Sequence, residues 1–193
     1  MANIVSFIAL IIAITIHEFS HAFMADRLGD PTPRSHGRLS LNPLNHLDPI
    51  GTLMMLVAHF GWGKPVPIDA YNFSHPKRDE MLVALAGPAS NLILASILAI
   101  VYNATGSSVV YIIALINIYL AIFNLLPVPP LDGSKIFLNL LPQDKSVEWQ
   151  EAFDRYGIFL LVALIFLPVG GSNLISLIIS PIVGFISKVL FIR

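Results

Sequence analysis

No cysteine occurs among the 193 residues, which excludes a disulfide framework, a thiolate metal site and a cysteine nucleophile; any metal must be held by nitrogen and oxygen. Charge is also scarce. Asp, Glu, Lys and Arg make up 12% of the chain against 55% hydrophobic residues, and the mean hydropathy is +0.76, which excludes an ordinary soluble domain. The net charge is −1, with no Lys/Arg cluster and no basic residues interleaved with aromatics, so a nucleic-acid partner is excluded. The opening Met1-Ala2-Asn3-Ile4-Val5 lacks the basic region and cleavage site of a signal peptide, so the first apolar stretch is expected to be retained. An integral membrane protein remains, with the lipid bilayer as its surroundings.

The apolar sequence comes in span-sized pieces. Residues 2–25, 79–103, 108–126, 147–168 and 172–192 are each near the twenty or so that a bilayer requires. The expected fold is an all-α membrane protein, a polytopic bundle of about five to six transmembrane helices forming one domain over residues 1–193. Residues 26–78 are rich in Pro, Gly and Asn, and their apolar run Gly51–Phe60 is too short to cross. They read as a re-entrant or interfacial connection with a short β element, Lys64-Pro65-Val66-Pro67-Ile68-Asp69, whose prolines suit an edge able to receive an extended peptide. A plain connecting hairpin fits the same residues.

The basic residues test this layout independently. Arg27, Arg34, Arg38, Lys64, Lys77 and Arg78 lie between the first two spans; Lys135, Lys145 and Arg155 lie near the connection from third to fourth; Lys188 and Arg193 lie at the end. The short connections around Thr105 and Gly170 have none. By the positive-inside rule both long connections and the C-terminus face the cytoplasm and the N-terminus lies outside, in the cell membrane.

One motif does not belong in an apolar span. His17-Glu18-Phe19-Ser20-His21 follows the almost wholly apolar Ile4–Ile16. On a helix the two imidazoles, four residues apart, project from one face and can share a metal, with Glu18 beside them to handle a proton. Each such group costs about 2.5 to 3.5 kcal/mol near a bilayer centre, whereas zinc binding releases about 10 to 16 kcal/mol in small structural sites. The pattern points to one zinc ion and peptide hydrolysis within a membrane. His17 lies about 20 Å along a helix from Ile4, which puts the metal nearer the cytoplasmic face.

A catalytic zinc usually has three protein ligands and an open position for water. Met24 and Arg27 stand where a metzincin would have Gly and His, and no glutamate occurs between the motif and Glu80 to act as in thermolysin. Asp132 is the best candidate, because Leu126-Pro127-Val128-Pro129-Pro130-Leu131-Asp132-Gly133 carries a carboxylate on backbone that three prolines keep from being helical. His46, Asp48, His59 and Asp26 are its rivals. His36, His46, His59 and His75 otherwise read as interfacial or core residues, and Trp62 and Tyr71 as interface anchors.

Together, His17-Glu18-Phe19-Ser20-His21 and Asn124-Leu125-Leu126-Pro127-Val128-Pro129-Pro130-Leu131-Asp132-Gly133 resemble the site-2 protease family of intramembrane zinc metalloproteases. Gly87-Pro88-Ala89-Ser90-Asn91 resembles a third family signature. Asn42-Pro43, His46 to Gly51 and Gly63 to Pro67 look like the connecting region of its compact prokaryotic members, without PDZ or CBS domains. The resemblance implies zinc on His17, His21 and Asp132, Glu18 as catalytic base, and regulated intramembrane proteolysis of a transmembrane protein substrate. It also suggests that Asn91 binds the substrate carbonyl or oxyanion, against a packing role between helices, the role favoured for Asn117. A metal-binding membrane adaptor or transporter would use the same ligands without Glu18. A peptidase of the prenyl-protein type would use another third ligand.

Overall fold

The computed structural model describes residues 2–58 and 61–192, so the rival ligand His59 and the terminal Arg193 lie outside the described residues. Helix α1 (Ala2–Arg27) shows how the chain divides its surfaces. Ile4, Ile8 and Ile12 face outward at 66%, 51% and 37% exposure, while Ala9, Ala13, Ala22 and Ala25 are completely buried. A soluble helix would bury its large apolar side chains. Here small residues three or four apart let neighbouring backbones approach closely, and the branched ones are left for lipid.

Two helices pack against α1 and against each other: α4 (Pro76–Thr105) and α5 (Ser108–Asn124). Ala84, Ala95, Ala99, Ala114 and Ala121 extend the small-residue interface. Gly106, at φ +69°, ends α4 in a left-handed cap that a side chain would strain, so α5 starts two residues later. Helix α7 (Gln143–Phe166) and helix α8 (Leu174–Leu190) close the bundle on the far side. There Leu161, Leu164, Ile175, Ile179 and Val183 join Ile118 and Ile122 of α5 in the main apolar core. Between α7 and α8 lies a hairpin, β1 (Pro168–Val169) with β2 (Ser172–Asn173). Its tip, Gly170-Gly171, has φ of +59° and +87°, the positive values that a tight two-residue turn demands.

The five long helices fall on the five expected spans, but they are not equally suited to cross a bilayer. Only the segments Ile4–Arg27 and Pro76–Thr105 combine sufficient length and apolarity among the described residues. Helices α5 and α8 have 17 residues each. The expected span 147–168 begins too early: α7 carries Asp144, Lys145, Glu148, Glu151, Asp154 and Arg155 before it turns apolar from Tyr156. Outward-facing apolar side chains on α1, α4, α7 and α8 make this a membrane protein.

The first connection contains helix α2 (Thr32–Ser35), a 3-10 turn (Pro43–Asn45), helix α3 (Pro49–Ala58) and a second 3-10 turn (Ala70–Asn72). At 10 residues, α3 is about 15 Å long and does not cross a bilayer. The expected β element, Lys64–Asp69, forms no strand among the described residues; the isolated antiparallel bridge between Leu47 and Gly63 lies just before it. Pro65 and Pro67 have no N–H to continue a ladder. Asp30, completely buried, ties the connection together: its carboxylate accepts from the backbone N–H of Thr32 and Asp69 and from the Asn72 amide.

Candidate metal centre

Helix α6 (Asp132–Leu140) brings the distant carboxylate to α1. The prolines end α5 and turn the chain back, and Gly133 lets the start of α6 press onto the end of α5. A Cβ at Gly133 would stand 2.3 Å from the Leu125 carbonyl oxygen and 2.4 Å from that of Leu126. From the far side, Gly157 of α7 lies against the Pro129 ring, where a Cβ would meet Cγ at 2.9 Å. Asp132 is thus the first residue of a helix, not a point on irregular backbone. Its Oδ2 lies 3.0 Å from His17 Nε2 and 3.1 Å from His21 Nε2, and the two Nε2 atoms are 3.0 Å apart.

The hydrogen bonds behind the rings decide what these three atoms are. His17 Nδ1–H donates to Asn91 Oδ1 at 2.7 Å, and His21 Nδ1–H donates to the Val83 carbonyl oxygen at 2.7 Å. In a neutral imidazole a proton on Nδ1 leaves Nε2 with a bare lone pair. Two such lone pairs and a carboxylate oxygen therefore converge with no hydrogen between them, an arrangement that repels itself unless a cation is shared. Zinc fits this donor set: tetrahedral bonds of about 2.0 to 2.2 Å place neighbouring donors about 3.3 to 3.6 Å apart, a few tenths of an ångström wider than here. The site also needs a wall without a side chain. Gly87 of α4 supplies it: a Cβ there would fall 2.4 Å from His21 Nε2 and 2.7 Å from His17 Cε1. Among the described residues, His17, His21 and Asp132 are the group able to hold a metal ion.

The rivals are committed elsewhere. His46 Nε2–H donates to the Ser40 carbonyl, Asp48 accepts from the Gly51 N–H at the start of α3, and Asp26 pairs with Arg34.

Asn91, for which the sequence leaves both a substrate-binding and a helix-packing role open, hydrogen-bonds to His17. It is completely buried, and its two amide hydrogens go to the Ala13 carbonyl at 3.0 Å and Asn117 Oδ1 at 2.8 Å. Asn117 in turn donates to the Ile113 carbonyl. The amide lies behind the His17 ring, where it is held between α1, α4 and α5. The Asn117 link was missed in the sequence, where only a polar residue in an apolar span signalled it. Arg38, read there as mere cytoplasmic charge, is another buried neighbour of the motif.

Glu18 opens onto a cavity of about 840 Å³ shared with His17, His21 and Asp132. Apolar side chains such as Ile14, Val66, Leu120 and Phe123 make up much of its wall, and Lys135 and Gln150 lie on its polar side. The cavity is large enough to take an extended segment of polypeptide.

Comparison with known proteins agrees with this chemistry. Residues 102–167, which contain Asp132, match peptidase family M50. YwhC of Bacillus subtilis, described as a candidate zinc metalloprotease, is 40% identical over 177 residues, 84% of this chain and 80% of that one. Rip2 of Mycolicibacterium smegmatis, described in the same terms, is 31% identical over 173 residues, 82% of this chain and 65% of its own. Zinc metalloprotease MJ0392 of Methanocaldococcus jannaschii is 28% identical over 142 residues, 71% of this chain and 34% of its own. No solved structure matches. A chain whose buried histidines and aspartate fit zinc, and whose relatives are described as zinc metalloproteases, belongs to peptidase family M50, the site-2 proteases.

Proposed function

We propose that the chain hydrolyses peptide bonds in or beside transmembrane segments of other proteins, with His17, His21 and Asp132 as the zinc ligands and Glu18 as the general base. The observation that carries this reading is a metal-binding triad that shares its cavity with a carboxylate, inside a bundle whose outer surface is apolar. Zinc, when bound, supplies a Lewis acid and a water of lowered pKa. Glu18 takes the proton from the attacking water and returns it to the leaving amine. Asn91 and the Val83 carbonyl hold the two rings with Nε2 toward the metal. Asn91 serves here as a positioning residue, because it has no hydrogen left for an oxyanion.

The substrate helix must open locally to offer an extended carbonyl, so segments with Gly, Pro or Asn near the cut are favoured. All five long helices cross the membrane in this proposal, α7 with its apolar half, and the N-terminus lies outside. Both long connections and the centre then lie toward the cytoplasm, from which water enters. The biological role is regulated intramembrane proteolysis of membrane-tethered proteins.

The test is Glu18→Gln in the full chain, reconstituted with a model transmembrane substrate. Zinc stays bound and cleavage is lost. Cleavage at the wild-type rate would remove Glu18 from its assigned role.

A further inference from the structure

One buried cation has no part in the chemistry above. Arg38, between α2 and the first 3-10 turn, is 2% exposed. Its Nη1–H donates to the Pro65 carbonyl at 3.1 Å, its Nη2–H donates to the Lys64 carbonyl, and Nη2 lies 3.8 Å from Glu18 Oε2. Its Nε is buried without a hydrogen-bond partner. An arginine kept for stability alone would be expected to spend its donors on a carboxylate. Here both hydrogen bonds go to neutral carbonyls, and Glu18 is the carboxylate within ion-pair distance. At that distance the charge is felt without a hydrogen bond between the two groups.

The carbonyls that Arg38 holds belong to a wall of the catalytic cavity. Gly63 runs so close to the motif that a Cβ there would lie 3.3 Å from Glu18 Oε1 and 2.8 Å from Ile14 Cγ2. Pro65 and Val66 line the same cavity. On the other side of the run, the Lys64 N–H donates to the His46 carbonyl at 2.7 Å. A planar guanidinium can hold two successive carbonyls and face a third group at once, which a single ammonium cannot do in the same fixed geometry.

We propose that Arg38 is a positioning residue that sets the Lys64–Val66 wall of the cavity at a fixed distance from the Glu18 carboxylate, so that a substrate chain lying on that wall meets the base. The inference rests on the reading of Glu18 as base. A misplacement of about 1 Å in such a wall is enough to slow turnover about 100-fold.

The test uses the full chain in bilayers with a model transmembrane substrate. It measures zinc content, kcat and KM for wild type, Arg38→Gln and Arg38→Lys. Because the chain has no cysteine, Val66→Cys in a Glu18→Gln background gives a single thiol for disulfide trapping of a substrate that carries one cysteine near the cut.

Arg38→Gln is expected to retain zinc while kcat falls about 100-fold. Arg38→Lys falls between the two, and Val66→Cys trapping weakens when Arg38→Gln is added. Zinc-loaded Arg38→Gln with kcat within about threefold of wild type overturns the proposal, as does undiminished trapping. Should Arg38→Gln fail to fold, Arg38→Lys decides: wild-type kcat there shows that charge alone suffices, and loss of both fold and zinc makes Arg38 a purely structural ion. Either result overturns the proposal. An inactive wild type, or an active Glu18→Gln, sinks the assignment of the base instead.

Discussion

Asn91 accepts the Nδ1 hydrogen of His17 at 2.7 Å while its own amide is held by Ala13 and Asn117, so the orientation of the His17 ring, a proposed metal ligand on α1, is set by residues of α4 and α5. Removing such a hydrogen-bond partner typically costs about 10- to 100-fold in metal affinity. Asn91→Ala is therefore expected to weaken zinc binding by that factor, and Asn117→Leu to weaken it less. Competition with a chelating dye measures both. Unchanged affinity with reduced turnover in Asn91→Ala would return Asn91 to the substrate side of the centre.

Gly87→Ala places a methyl group where the rings are. At 2.4 Å from His21 Nε2 the added carbon cannot be accommodated without displacing a ring that is held from behind by the Val83 carbonyl. Alanine favours a helix over glycine by about 1 kcal/mol, so the damage is expected in the centre and not in the fold. Zinc content should fall below stoichiometric and cleavage should cease, while circular dichroism keeps the wild-type helix signal. A zinc-loaded, active Gly87→Ala protein would mean that the rings do not lie against α4.

Zinc removal should be felt in stability as well as activity, because its ligands join α1 to α6 across more than a hundred residues. At a free concentration one hundred times Kd, a ligand that binds only the folded state stabilises it by about 2.7 kcal/mol. Thermal unfolding in micelles is expected to shift downward on chelation and to recover with added zinc. In Asp132→Ala the shift should be nearly absent. A full zinc-dependent shift in that variant would rule out the carboxylate as a ligand.

The first connection has a separate pH dependence. Burial alone would raise the Asp30 carboxyl, but donors from Thr32, Asp69 and Asn72 outweigh it and hold the carboxyl below its usual value. A depressed folded value contributes stability that is fully present above the unfolded value of about 3.9 and is lost as pH falls through the folded one. Asp30→Asn turns an amide toward backbone donors and should cost about 1 to 3 kcal/mol at pH 7. The difference from wild type should shrink as the pH drops below 4, which unfolding curves across that range would show. An unchanging difference would remove the carboxylate as its cause.

Local sequence singled out the residues that the structure brings together at the centre. A four-residue spacing is enough to place two imidazoles on one helix face, and a carboxylate after Pro127, Pro129 and Pro130 stood out because a bilayer tolerates broken backbone only around a site. What could not be read was whatever depends on how helices pack. Whether Asn91 faces a cavity or a ring is decided by the close contact of α1, α4 and α5, and Arg38 is far from Pro65 in sequence. Spans were legible where hydropathy is unbroken, as in α1 and α4. In α7 the helix continues through a charged half that composition alone does not join to the apolar one. Lys64–Asp69 has the alternation of a strand, yet with two prolines it forms none, and the isolated bridge stops at Gly63 just before it.

Asp132, the proposed third ligand, follows His21 by 111 residues. During synthesis, a chain that has released α1 but not yet α6 holds both imidazoles and Glu18 without the carboxylate that completes the set. On that assignment, cutting power arrives late, with the docking of α6, and a half-made chain lacks the complete set of ligands.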